Sequence, residues 1–177
     1  MIQFYSLMWI LAGFGAFLGF LRGWNREVIA TAGILLATFG LFQFDALIRG
    51  TILLTIGLSR DQSFAIQLLI FFAVVYIAYQ NRTFLPDKPR DMSIQTGILG
   101  GVIGAINGYL IGGALWYFVD INEYPFYPLI VAPSPGSPSA NSVGSIPLVL
   151  LSGGATGSGD FLIVGVFVLF LLVLFVL

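Results

Sequence analysis

Residues Leu11 to Glu27 read LAGFGAFLGFLRGWNRE, and the chain nearly repeats the core of this stretch further on. Gly15-Ala16-Phe17-Leu18-Gly19-Phe20-Leu21-Arg22-Gly23 aligns without gaps with Gly104-Ala105-Ile106-Asn107-Gly108-Tyr109-Leu110-Ile111-Gly112. The two share their glycines, the alanine and the leucine, with Phe20 opposite Tyr109. Glycine at every fourth position drifts only about 40° per step around an α-helix, so Gly15, Gly19 and Gly23 share a stripe, as do Gly100, Gly104, Gly108 and Gly112. In water each such glycine would cost a helix roughly 1 kcal/mol relative to alanine. In lipid the same stripe lets two backbones approach closely, because association there depends on tight packing. The spacing predicts two copies of one helix-packing surface.

Composition agrees with that reading. Hydrophobic residues make up 58% of the chain and charged residues 8%, and mean hydropathy is +1.00, which predicts an all-α integral membrane protein. The net charge of −1 gives no reason to expect nucleic acid as a partner. Without cysteine or histidine there is no thiolate or imidazole to ligate a metal or act as nucleophile or base, so no metal, cofactor or enzymatic activity is expected.

Outward from the opening stretch, span 1 covers Ile2 to Leu21. Its basic residues Arg22 and Arg26 follow the apolar run, unlike those of a cleaved signal peptide. A turn is expected between Arg22 and Glu27, with Asn25 capping the next helix and Glu27 in its first turn. Span 2 runs from Val28 to Phe42 and span 3 from Ser63 to Tyr79; between them, the charge-free run of Asp45 to Asp61 is too short to span comfortably and reads as interfacial or re-entrant, with an additional, sixth span as the alternative. After the charged loop Asn81 to Asp91, span 4 extends from Ile94 to Val119. Tyr124 to Ala132 suits the bilayer surface, Pro133 to Ser145 reads as extended, Ile146 to Leu151 as an island dipping into the interface or against the bundle, and Ser152 to Asp160 as a tether. Phe161 to Leu177 is a fifth span. The expectation is a bundle of about five transmembrane helices, with spans 1 and 4 joined by their glycine stripes. It divides into a four-span bundle (1–120), an outer Pro/Ser/Gly-rich loop (121–160) and a C-terminal helix (161–177).

Arg22, Arg26, Arg82, Lys88 and Arg90 fall at one end of this bundle and only Arg49 and Arg60 at the other. The positive-inside rule then places the N-terminus outside and the C-terminus in the cytoplasm. Span 1 would descend and span 4 ascend, so the matching nonapeptides would be antiparallel, the arrangement of an inverted repeat. Chance resemblance between two small-residue helices is the plainer explanation.

Few residues carry candidate chemistry. Asn107 is polar deep in span 4 and needs a partner there, either a neighbouring helix or a substrate; Gln67 of span 3 is one candidate partner. Arg22, Arg26 and Glu27 form the densest charged cluster beside a glycine stripe, suited to an anionic ligand or to lipid phosphates. Asp120, Glu123 and Asp160 are carboxylates of the outer side that could gather a cation or be solvated separately. Gly13-Phe14-Gly15 with Gly19 imitates a dinucleotide fingerprint inside an apolar span, and Gly153 to Asp160 imitates a phosphate loop without its lysine; neither context supports the motif.

The run from Gly15 to Glu27, with its core G-x-x-R-G-x-x-R-E, resembles the N-terminal signature of the colicin V production protein (CvpA) family, and Gly100 to Gly112 is similar to that family's later glycine-rich helix. The resemblance covers roughly the first 150 residues. It implies a bacterial inner-membrane protein, usually of four spans, linked to colicin export, envelope homeostasis and transport, and it singles out Gly19, Arg22, Gly23, Arg26 and Glu27. The Ser/Pro loop and the fifth span depart from the family pattern. Two functions are therefore expected: a structural or accessory role, with the last helix docking on other membrane subunits of a respiratory or photosynthetic complex, or a small-solute transporter or channel framed by the inverted repeat.

Overall fold

The computed structural model describes residues 3–80, 93–153 and 158–176. Its first helix, α1 (Phe4–Arg22), ends at Gly23, whose backbone angles (φ 82°, ψ 161°) lie in a region essentially closed to residues with a side chain. The Gly23 N–H closes the last turn on the Gly19 carbonyl at 2.9 Å, and α2 (Trp24–Gln43) begins at the next residue. Asn25 is therefore an exposed residue inside α2 and not its cap; the glycine reverses the chain without needing a polar capping loop. Glu27 does lie in the first turn of α2, where a carboxylate suits the helix dipole.

After α2 a short helical piece, α3 (Asp45–Leu47), continues as a π-helix over Ile48–Leu53. Then come α4 (Arg60–Gln80) and α5 (Ile94–Ile121). Beyond α5, Pro138–Ser142 forms α6, Pro147–Leu151 forms α7 and Asp160–Val176 forms α8. The described residues contain helices and no strand. Helices α1, α2, α4 and α5, of 19, 20, 21 and 28 residues, are long and apolar enough to cross a bilayer. The protein is an all-α, multi-pass membrane protein. At 17 residues α8 is somewhat shorter; it runs antiparallel to α2, with Gly159 near Phe42 and Gly165 near Leu35.

The tightest seam joins α1 to α5, antiparallel and backbone to backbone. A Cβ built on Gly15 would be driven into the Gly104 carbonyl oxygen and lie 3.0 Å from the Gly108 amide nitrogen. One on Gly104 would sit 2.9 Å from the Gly19 Cα, one on Gly100 2.9 Å from the Gly23 Cα, and one on Gly112 2.9 Å from the Met8 Cα. The far side of α1 carries Ile10, Phe14, Phe17 and Leu21, all exposed, as a lipid-facing surface requires. The larger core lies on the other flank of α5, where Ile34, Ala37 and Leu41 of α2, Phe64, Phe71 and Val75 of α4, and Ala114, Phe118 and Val119 of α5 close together.

The loop after α5 differs from its extended expectation. Ser137 accepts a hydrogen bond from the Ala140 amide and Pro138 takes the first turn, so α6 forms and continues as a 3-10 turn over Val143–Ser145. The apolar island Ile146 to Leu151 packs against the bundle: Ile146 and Leu148 are buried with Trp116 of α5, Leu35 of α2 and Leu162 of α8, and Pro147 fills the notch at Gly113.

Candidate functional site

Two polar nodes lie at opposite ends of this bundle. At the first, the one-residue turn at Gly23 brings the last turn of α1 against the first turn of α2. The Arg22 Nη1 meets the Glu27 Oε1 at 2.6 Å, and the Glu27 side chain is 1% exposed. The Arg22 Nη2 donates to the Tyr79 carbonyl at the end of α4 (2.9 Å), and the guanidinium stacks over the Tyr79 ring, 4.4 Å from its centroid.

From α5, Asn107 completes the node. Its Nδ2 donates to the Glu27 Oε2 (2.8 Å) and to the Glu27 carbonyl (3.0 Å), while its Oδ1 lies 2.6 Å from the Thr31 hydroxyl of α2. That hydroxyl also sits 2.8 Å from the Glu27 carbonyl. Asn107 is fully buried, and Gly104 and Gly108 beside it let α5 lie flush on α1 at this level. Both oxygens of a carboxylate buried in a membrane protein are thereby occupied, one by a cation and one by an amide, as such a group requires. The node ties four helices together.

The second node holds Gln67. Asp45 and Arg49 pair in bidentate fashion one turn apart, Nε to Oδ1 and Nη2 to Oδ2 both at 2.6 Å. The Arg49 Nη1 donates to the Ile121 carbonyl at the end of α5 (2.7 Å). Gln67 is fully buried; its Nε2 donates to the Asp45 Oδ1 (3.1 Å) and its Oε1 accepts from Asn122 (2.7 Å), which also donates to the Phe118 carbonyl. This node staples the short helix after α2 onto α4 and α5. The hydrogen bond to Asp45 is the main cause holding the Arg49 pKa above its ordinary value.

The predicted residues thus separate. Arg22, Glu27 and Asn107 come together, Gln67 serves the other end, and the partners of Asn107 are Glu27 and Thr31 rather than Gln67. Arg26 is half-buried and makes no ion pair with a described residue. Arg82, Lys88 and Arg90 lie outside the described residues. So do Gly154 to Gly157 of the phosphate-loop imitation. The carboxylates Asp120, Glu123 and Asp160 are used singly: Glu123 pairs with Arg60, Asp120 accepts from the Tyr124 hydroxyl (2.8 Å), and Asp160 accepts from Ser158. Burial, with that Asp120 bond, pushes the Tyr124 phenol up to about 12. Asp45, Arg49, Asn122 and Tyr79 were not read from the sequence as site residues, although the four-residue spacing of Asp45 and Arg49 is an ordinary helical ion-pair signal.

The family profile described as Colicin V production protein matches residues 6–144. The chain belongs to the colicin V production protein family. The match takes in α2, α4, α5 and all of α1 but its first two residues, with both polar nodes, and ends before α7 and α8; Gly19, Arg22, Gly23, Arg26 and Glu27 lie within it. None of the curated proteins and none of the solved structures matches the chain.

Proposed function

We propose that this member of the colicin V production family is a non-catalytic protein of the bacterial cytoplasmic membrane. Its role is that of a structural or accessory subunit that packs against other membrane proteins, as the subunits of respiratory or photosynthetic complexes do. The observation that carries the reading is Asn107, dry and bonded to Glu27 and Thr31, where a transport path would need a wetted polar residue. The antiparallel glycine twins support it too, since their backbones meet and leave no room for a solute between them. Orientation follows from charge: Arg22, Arg26, Arg82, Lys88 and Arg90 at one end of the sequence's spans outnumber Arg49 and Arg60 at the other, which favours the first end for the cytoplasm. The N-terminus is then outside. With α8 crossing as a fifth span, the C-terminus is cytoplasmic.

The chain has no cysteine, so single-cysteine labelling starts from a clean background. In membrane vesicles, N107C and T31C should stay unreactive toward a water-soluble methanethiosulfonate, while R60C, at an exposed position, labels readily. Labelling of either buried position from the aqueous phase would favour the second reading, a small-solute transporter or channel, and count against the first. A separate expectation concerns partners. Helix α8 touches the bundle through Leu162 and Gly165 while Phe161, Val164, Phe167 and Phe170 remain exposed. Deleting residues 161–177 should leave the four-helix bundle folded but abolish copurification of partner subunits in mild detergent; partners retained on the truncated chain would rule out docking through α8.

A further inference from the structure

An open cavity of about 350 Å³ lies at the end of the bundle remote from Arg22, between the short helix after α2 and the start of α4. Asp45, Arg49, Arg60, Ser63 and Asn122 line it, with Ala46, Leu54 and Leu58 on its apolar side. Arg49 and Arg60 are the basic residues that the sequence assigns to this end, and one cavity receives both. We propose that it binds the phosphate group of an anionic phospholipid, with the acyl chains leaving past Leu54 and Leu58.

The hydrogen-bonding inventory favours an oxyanion. Asp45 is the carboxylate on the wall, and its Oδ1 accepts from Arg49 and Gln67 and its Oδ2 from Arg49, so its acceptor capacity is largely used inside the protein. Beside the Asn122 side-chain oxygen, what the lining still offers is donors: the remaining N–H groups of Arg60, the second hydrogen on the Arg49 Nη1, and the Ser63 hydroxyl. Arg60 and Ser63 both stand in the first turn of α4. That turn is fixed by a reciprocal cap in which the Ser59 amide donates to the Gln62 side chain (2.9 Å) and the Gln62 amide to the Ser59 hydroxyl (3.3 Å).

The two arginines have different tasks. Arg49 is locked in place by Asp45 and the Ile121 carbonyl and sets the cavity wall. Among the described residues Arg60 is held by Glu123, in a pair whose side chains are 69% and 66% exposed. A surface pair of this kind contributes little, so a phosphate can take the guanidinium from Glu123. Asp61 stands close by in the first turn of α4, but its Oδ1 accepts from the Phe126 amide (3.1 Å) and it does not line the cavity.

The test uses the full chain in nanodiscs. One arm titrates phosphatidylglycerol into a phosphatidylcholine background and counts retained anionic lipid by native mass spectrometry; the other offers inorganic phosphate in phosphatidylcholine alone. The proposal expects saturable phosphatidylglycerol retention that R60Q weakens about tenfold and E123Q strengthens, because the competing carboxylate is then gone. Retention of the lipid without inorganic phosphate binding assigns the occupant as a phospholipid; R60Q-sensitive binding in both arms keeps the phosphate site and makes the free anion sufficient. Lipid retention that is equal in the parent, R60Q and E123Q chains, or equal for phosphatidylglycerol and phosphatidylcholine, overturns it. R60Q changes an exposed side chain and should fold; R49Q, which removes the wall, should abolish retention as well.

Discussion

Leucine in place of Gly108 or of Gly19 lowers thermal stability in detergent sharply, by an overpacking penalty on the order of 1–3 kcal/mol or more. A Cβ on Gly108 meets the Leu11 carbonyl, with its carbon at 2.6 Å, and the Ala12 Cα at 2.9 Å. What it strikes is backbone, which cannot swing aside as a side-chain tip can. Even alanine at Gly104 or Gly108 should therefore part α1 from α5. Gly13 of α1 and Gly40 of α2 provide the control, since a Cβ at either meets nothing within 4 Å. Alanine at Gly40 should leave the melting temperature unchanged or raise it, because it removes backbone freedom from the unfolded chain at no steric cost. Unchanged stability for both G19L and G108L would refute the packing role of the ridges.

R22A is expected to destabilise the bundle by about 3 kcal/mol, because it strands a carboxylate that is 1% exposed. E27Q should cost less. The glutamine keeps an oxygen for Asn107, and Arg22, at 21% exposure, can turn its freed guanidinium toward lipid phosphates. The ordering R22A worse than E27Q distinguishes a buried pair from a surface pair, for which the two losses would be small and alike. A double replacement, R22M/E27M, should recover much of what R22A loses, since removing both charges also removes the cost of burying them. Urea or thermal titrations in one detergent would measure all three; a double variant no better than R22A would mean that the ion pair itself, and not relief of the stranded charge, sets the stability of this node.

The four long helices and the seam between the first and the fourth were legible because association in lipid leaves a direct trace in sequence, glycine at helical spacing. Family membership was legible from the same stretch, where Gly19, Arg22, Gly23, Arg26 and Glu27 stand in one short motif. The partner of Asn107 was not. Choosing between Glu27 and Gln67 requires knowing how far each helix slides along its neighbours, and nothing in the apolar faces of α2 and α4 records that offset. The turn at Gly23 was misjudged for a different reason: Asn25 is a good cap by type, but a glycine able to take φ 82° made a cap unnecessary. For α6 the signal was present, Ser137 followed by Pro138, and was masked by the Ser/Pro-rich composition around it. The π-helical segment after α2 was readable as too short to cross but not in its conformation.

The direct measurement of the seam is a disulfide. A Cβ on Gly101 would lie 3.6 Å from the Cβ of Phe20, inside the range that a disulfide spans, and the chain has no other thiol. On mild oxidation in the membrane, F20C/G101C should close an intramolecular bridge between α1 and α5, seen as two fragments held together after cleavage of the connecting chain until reductant is added. F14C/G101C, with its first cysteine on the lipid-facing side of α1, should not. Failure of F20C/G101C to bridge, or equal bridging by both pairs, would contradict the antiparallel backbone-to-backbone packing of the two glycine ridges.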